Sequence, residues 1–291
     1  MSISRTLSRP ISRAISRGIS DGLGGSASAW SPTTLFANSE NGAWYDPSDL
    51  STLFQDSAGT TPVTSDGDPV GKMLDQSGNG NHLTQTTAAA RPLYKTSGGL
   101  HWLDFDGTDD WLESAAVDLS GTNRASVFAG IRKERASVAG ASDPIFINGD
   151  AGTSGGAFAI YAPHNGTARD FAWSVDPATG GSQSFRAVDD ASYEAPVSGV
   201  IGLQVNTAGA DNDARLGCRW NGATLSTFSA DASGGTGTGL ANETFRVGLQ
   251  VGTSDYYDGR IYSLVVTDDT LTVSELASLE SYVAGKTGVT L

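Results

Sequence analysis

The stretch Asp258–Val289, DGRIYSLVVTDDTLTVSELASLESYVAGKTGV, places two periods side by side. Arg260–Thr267, RIYSLVVT, is a short apolar run bounded by Asp258-Gly259 and Asp268-Asp269, which reads as a buried strand. Thr272-Val-Ser-Glu275 then has the form of a capping box, in which a threonine hydroxyl and a glutamate three residues on satisfy each other's backbone N–H groups. Leu276, Leu279 and Val283 follow at helical spacing, and Gly285 stands as the stop. The chain closes as strand, turn, helix.

Outward from that end, the pattern is β as far back as about Trp30. Val127–Lys133 (VFAGIRK), Ala157–Ala162 (AFAIYA), Val200–Asn206 (VIGLQVN) and Phe245–Gly252 (FRVGLQVG) are short apolar or alternating runs. Gly, Asn and Asp clusters bound them. Arg219–Phe228, RWNGATLSTF, carries Asn221-Gly222 between two such runs, the strongest short-range hairpin signal. The 37 glycines supply turns, and many turns imply many short strands. Many strands with one helix predict an all-β sandwich or jelly roll.

The chain has 291 residues and a formal net charge of -14. Such a surface repels nucleic acid and anionic membrane, so neither is expected as a partner. No run approaches the roughly 18 apolar residues of a membrane span. The single cysteine, Cys218, excludes an internal disulfide and reads as a small apolar core residue.

The first 22 residues break this pattern. Ile3, Leu7, Ile11 and Ile15 recur every four positions, each followed by Ser-Arg, with Ile19 closing the series. Arg5, Arg9, Arg13 and Arg17 make this arm basic on an otherwise acidic chain. Arginine at every fourth position interrupts the apolar stretch a signal peptide needs. The arm is poor in acids and rich in Arg and Ser, as a transit peptide is, and the β body argues against that reading. Pro10 and Gly18 count against a continuous helix. Regular apolar anchors separated by Ser-Arg suit an arm that orders on a groove or on identical neighbours. Residues 23–29 form a flexible Gly/Ser linker, and the body runs 30–291.

Three stretches carry a family resemblance. They are Gly42–Asp56 with Gly59–Gln85, Leu103–Glu113 (LDFDGTDDWLE) and Asp258–Val289. In that order they resemble the concanavalin A-like, laminin-G-like jelly rolls of bacteriophage, or gene-transfer-agent, fibre and head-spike proteins. The resemblance implies a two-sheet antiparallel sandwich with a non-enzymatic carbohydrate-binding or adhesion role. It also implies a role for the arm, in which Ile3, Arg5, Leu7, Arg9, Ile11, Arg13, Ile15 and Arg17 anchor the chain to a capsid or tail protein. A homo-oligomer, trimer or pentamer, would present several jelly rolls to host cell-surface polysaccharide, where avidity multiplies weak sites. The implied location is the virion surface, with assembly in the bacterial cytoplasm. The rivals are a structural decoration module that binds no sugar and a polysaccharide depolymerase of the glucanase fold.

Hydrolysis finds little support in the residues. Retaining glycosidases need two carboxyls about 5–5.5 Å apart. Glucanases of this fold supply them from one alternating acidic strand, and no E-x-D-x-E run occurs here. The seven glutamates are scattered, and His82, His101 and His164 lack metal-ligand spacing. No cofactor is required. Calcium is the one to weigh, because Asp104, Asp106, Asp109 and Asp110 offer hard oxygen ligands in a tight turn. Laminin-G-like relatives often hold calcium at a sandwich edge. Turn capping by Asp explains the same residues, and it has the stronger claim because a spaced D-x-D-x-D-G loop is missing. Sugar binding calls for exposed rings beside polar groups that read hydroxyls. The candidates are Tyr256 and Tyr257 with Asp255 and Asp258, Trp173 with Asp170, and the His164-Asn165 loop. Trp44, Trp102, Trp111 and Trp220 lie in strand-like patterns and are assigned to the core.

Overall fold

Side chains in a strand alternate between faces, so strand pairing decides which of them meet. The computed structural model describes residues 30–136, 140, 142–149, 155–164, 169–176, 183–234, 237, 239–250 and 252–291. The eight anchor residues, the linker and Asn165 lie outside the described residues. Every strand pairing among the described residues is antiparallel, and the strands form two sheets. The first sheet runs, in spatial order, Ala223–Thr224, Leu216–Trp220, Val197–Asn206, Arg124–Lys133, Asp258–Thr267, Leu100–Asp106 and Leu93–Ser97, with Gly42–Tyr45 beside Asp258–Thr267. The second runs Ala230–Ala232, Ser184–Val188, Phe171–Val175, Phe158–Tyr161, Pro144–Asn148, Asn242–Val247, Leu112–Asp118, Leu83–Thr84, Lys72–Met73 and Leu53–Phe54. The chain is an all-β two-sheet sandwich with one C-terminal helix.

The closing strand sits in the middle of the first sheet. One edge of Asp258–Thr267 pairs with Arg124–Lys133, and the other pairs first with Leu100–Asp106 and then with Gly42–Tyr45. Between the sheets, Val127, Ala129, Ile131, Ile201 and Leu203 meet Phe146, Phe158, Ile160, Phe171, Trp173 and Phe245. Each such large side chain contributes about 1.5–3 kcal/mol by leaving water. Cys218 belongs to this core, and burial pushes its thiol up. Asn221 and Gly222 take positive φ of 45° and 80° between Trp220 and Ala223, the two-residue hairpin their types call for.

The helix Val273–Thr287 opens on the capping box of Thr272 and Glu275. It buries Leu279, Val283, Ala284 and Thr287. The approach to the sheet is close at Gly130, where a Cβ would lie 2.1 Å from Thr287 Oγ1. Arg219 donates to both carboxylate oxygens of the buried Glu280 at 2.7 and 2.8 Å. Tyr282 donates to Asp46 at 2.6 Å, and Lys286 pairs with the same carboxylate at 2.6 Å. Gly285 is not the stop. It lies on the exposed side of the helix, and Gly288, at φ 74°, ends it. The expected strand Phe245–Gly252 also stops early, at Val247, because Gly248 turns the backbone at φ 89°.

Candidate functional site

Antiparallel pairing gathers loops from distant parts of the sequence at one rim. In the first sheet Asp106 faces Asp258, and Val197 faces Lys133. In the second, Tyr161 lies opposite Ala172 and Pro144. Charged side chains close the rim across the sandwich. Arg135 pairs with Asp143 at 3.0 Å and Asp258 at 3.6 Å, and donates to the Gly107 carbonyl at 2.8 Å. Lys133 reaches Asp170 at 2.6 Å. The Asp104–Asp110 turn, the His164 loop and the Asp255-Tyr256 segment therefore share one end of the molecule.

Tyr161 anchors the aromatic part. It lies on the outer face of the second sheet with Ile147, Ala159, Ala172, Phe185 and Ala187. The His164 ring meets Tyr161 edge-on at 4.6 Å and Phe185 at 4.8 Å. The Arg169 guanidinium lies 5.0 Å from the Phe185 centroid. Burial, helped by Arg169, pushes His164 down to about 4, so its imidazole is neutral near pH 7. Its Nδ1 is buried and has no hydrogen-bond partner. Burial raises the Tyr161 hydroxyl, and the Asp176 and Asp255 carboxylates add to that shift. Asp143 is pushed up to about 7 by burial, against the opposing pull of Arg135 and with Asp255 and Asp258 adding. The cluster is thus buried at Tyr161 and Phe185 and half-buried only at His164, and carboxyls border it.

The structure divides the sequence candidates. Asp255 and Tyr256 are half-buried and lie at this rim. Tyr257 is a correction: it is fully buried, and its hydroxyl donates to the Arg132 carbonyl at 2.9 Å. Trp173 is a second correction, because its side chain points between the sheets, at 0% exposure, beside Phe171. Neither ring is offered to a ligand. Trp44, Trp102 and Trp220 are buried as assigned, while Trp111 is half-exposed. Sequence reasoning missed Tyr161, Arg169, Arg135 and Asp143. The only trace of Tyr161 was its alternate place in AFAIYA.

The acidic turn brings three of its four carboxyls together. Ligand oxygens of Asp106, Asp109 and Asp110 lie within 4.8 Å of one another. Asp104 stands apart, because it accepts from Trp102 Nε1 at 3.2 Å and pairs with Arg260 at 3.6 Å. The turn is knitted by its own backbone: Thr108 and Asp109 N–H groups donate to Asp106 Oδ1 at 2.8 and 3.4 Å, and the Asp106 N–H donates to Asp110 Oδ2 at 3.0 Å. Burial pushes Asp110 up to about 7. These three oxygens are the ones that could hold a calcium ion. At the opposite end, Asn38, Glu40, Asn123, Arg124, Asp268 and Asp269 border an open polar crevice of about 570 Å³.

The fold has solved counterparts. A mutant GH54 α-L-arabinofuranosidase soaked with 4-nitrophenyl α-L-arabinofuranoside superposes with a TM-score of 0.54 at 15% identity, over 88% of this chain and 66% of that one. Domain 4 of AbnA, a GH43 extracellular arabinanase from Geobacillus stearothermophilus, in complex with arabinotriose, gives 0.51 at 13% identity, over 83% and 98%. The binding domain of Paraclostridial Mosquitocidal Protein 1 gives 0.52 at 15% identity, over 76% of this chain and 52% of that one, so this chain spans about half its length. At these identities the likeness is one of fold. Neither a protein-family model nor a curated protein sequence matches the chain.

Proposed function

We propose that this chain is a carbohydrate-binding jelly roll carried on a phage or phage-like particle as a spike or fibre. The observation that carries the sugar-binding part is the half-buried pair Asp255 and Tyr256 at this rim, where the Asp255 charge also acts on Tyr161. A sugar ring would rest on Tyr256, and the Asp255 carboxylate would read hydroxyls. Sandwiches of this fold solved with arabinotriose and with 4-nitrophenyl α-L-arabinofuranoside agree with that class of partner. The virion part rests on the sequence resemblance and on the ISRx arm, which would dock on a capsid or tail protein or bundle with its copies. The role is read as non-catalytic. Three rim carboxylates are already engaged, Asp143 and Asp258 by Arg135 and Asp170 by Lys133.

The test uses the full chain on a glycan array and on capsule from candidate hosts, with calcium and with EDTA. Selective binding without new reducing ends supports the reading. Release of reducing ends would move the chain to the hydrolases, and loss in EDTA would make the Asp106–Asp110 turn a metal site. No binding by the oligomeric protein would leave a structural decoration module. Deletion of residues 2–20 tests the anchor separately: the truncated chain should fold and stay out of particles.

A further inference from the structure

The most completely buried ion pair among the described residues joins the two sheets at the rim. Lys133 is the last residue of a central strand of the first sheet, and Asp170 immediately precedes Phe171–Val175 of the second. Their side chains are 0% and 2% exposed. Lys133 Nζ lies 2.6 Å from Asp170 Oδ1 and 3.4 Å from its backbone oxygen. The Phe171 ring centre is 5.3 Å from Nζ, and that ring packs against Trp220 at 4.6 Å and Tyr193 at 5.5 Å. The pair is therefore buried, with the Phe171 ring on one side.

Full charges are unfavourable in such a place, and their mutual attraction offsets that only in part. Burial lowers the Lys133 amine, with Asp170 opposing. A neutral amine held against a neutral carboxyl is the reactive pair for amide formation, and fixed contact removes the entropy cost of bringing them together. The carboxyl is also oriented. Its Oδ2 accepts from the Asp190 N–H at 3.3 Å, a donor placed to stabilise charge on that oxygen during attack. Its Oδ1, the oxygen nearest Nζ, is the one placed to leave.

We propose that Lys133 and Asp170 condense into a side-chain amide that joins the two sheets covalently. The ammonium first passes one proton to the carboxylate. The amine lone pair then attacks Asp170 Cγ, the Nζ–Cγ bond forms, and the Cγ–Oδ1 bond breaks. The departing hydroxyl takes a second proton from nitrogen and leaves as water. One water is lost, and no oxidant or co-reactant is needed. Such a staple would suit a body that is pulled from one end.

The test is the intact mass of the denatured full chain, followed by peptide mapping. The proposal predicts a mass lower than the sequence mass by one water, and a branched peptide joining the segments around Lys133 and Asp170. Lys133→Met and Asp170→Ala should each restore the sequence mass. A wild-type chain at full sequence mass after prolonged incubation overturns the proposal, as does water loss mapped to any other residue. If the Lys133 and Asp170 variants fail to fold, the wild-type peptide map decides alone.

Discussion

Replacing Asp110 by asparagine isolates the electrostatic cost of the acidic turn. The Asp110 carboxyl is 5% exposed, and burial moves its titration from the usual 3.8 to about 7. The Asp106 N–H opposes that shift, while the Asp106, Asp109 and Asp104 charges add to it. The folded protein therefore holds this proton more tightly than the unfolded chain. Its contribution to stability is largest below about pH 4 and is lost as pH rises toward 7. A displacement of that size corresponds to a ceiling of roughly 4 kcal/mol. Asp110→Asn keeps the shape and the acceptor for the Asp106 N–H, and cannot ionise. Urea unfolding of both chains in EDTA, at pH 5 and pH 8, measures the effect. The variant should gain about 2–3 kcal/mol over wild type between the two pH values. A wild-type-to-variant difference that does not change with pH would refute the reasoning. The same pair reports on calcium. If the turn holds the ion, calcium at pH 8 stabilises wild type and leaves the variant unmoved.

Three other outcomes follow from packing and charge. Gly130→Ala puts a Cβ 2.1 Å from Thr287 Oγ1 and 3.0 Å from Val283 Cγ1, so it should cost about 1–3 kcal/mol in urea unfolding, with part recovered in Gly130→Ala/Thr287→Ala. Thr272→Ala removes one half of the capping box at an exposed position and should cost about 1 kcal/mol; an unchanged midpoint would contradict the cap assignment. Burial pushes Asp143 up to about 7 and His164 down to about 4, so sugar affinity at the rim should change between about pH 6 and 8, and Asp143→Asn should flatten that change, which a binding titration at several pH values checks.

The fold was legible where one period dominates. The capping box at Thr272 and Glu275 marked the helix start, and Asn221-Gly222 marked a hairpin, because each needs only local chemistry. The helix stop was misplaced by three residues. An exposed interior glycine such as Gly285 is tolerated at modest cost, so it looks the same in sequence as the left-handed Gly288 that ends the helix. The Trp173 error has a different cause. All of Phe171–Val175 is buried, because the outer face there carries a second apolar cluster, so alternation could not tell the inner face from the outer one. Tyr256 and Tyr257 are neighbours in extended backbone and so point to opposite sides, and only the fold decides which ring faces out. The rim itself was invisible as a site. His164 and Asp255 are far apart in sequence, and antiparallel pairing is what sets them at one end.

The central claim is that this rim binds polysaccharide. The most direct measurement is affinity of the full chain for the capsule it selects, compared among wild type, Tyr256→Ala, Asp255→Asn and an opposite-end control, Asn38→Ala. Recognition at the rim predicts at least a tenfold loss, about 1.4 kcal/mol, for the two rim variants and none for Asn38→Ala. Loss confined to Asn38→Ala would place recognition at the polar crevice, and equal binding by all four chains would contradict the claim.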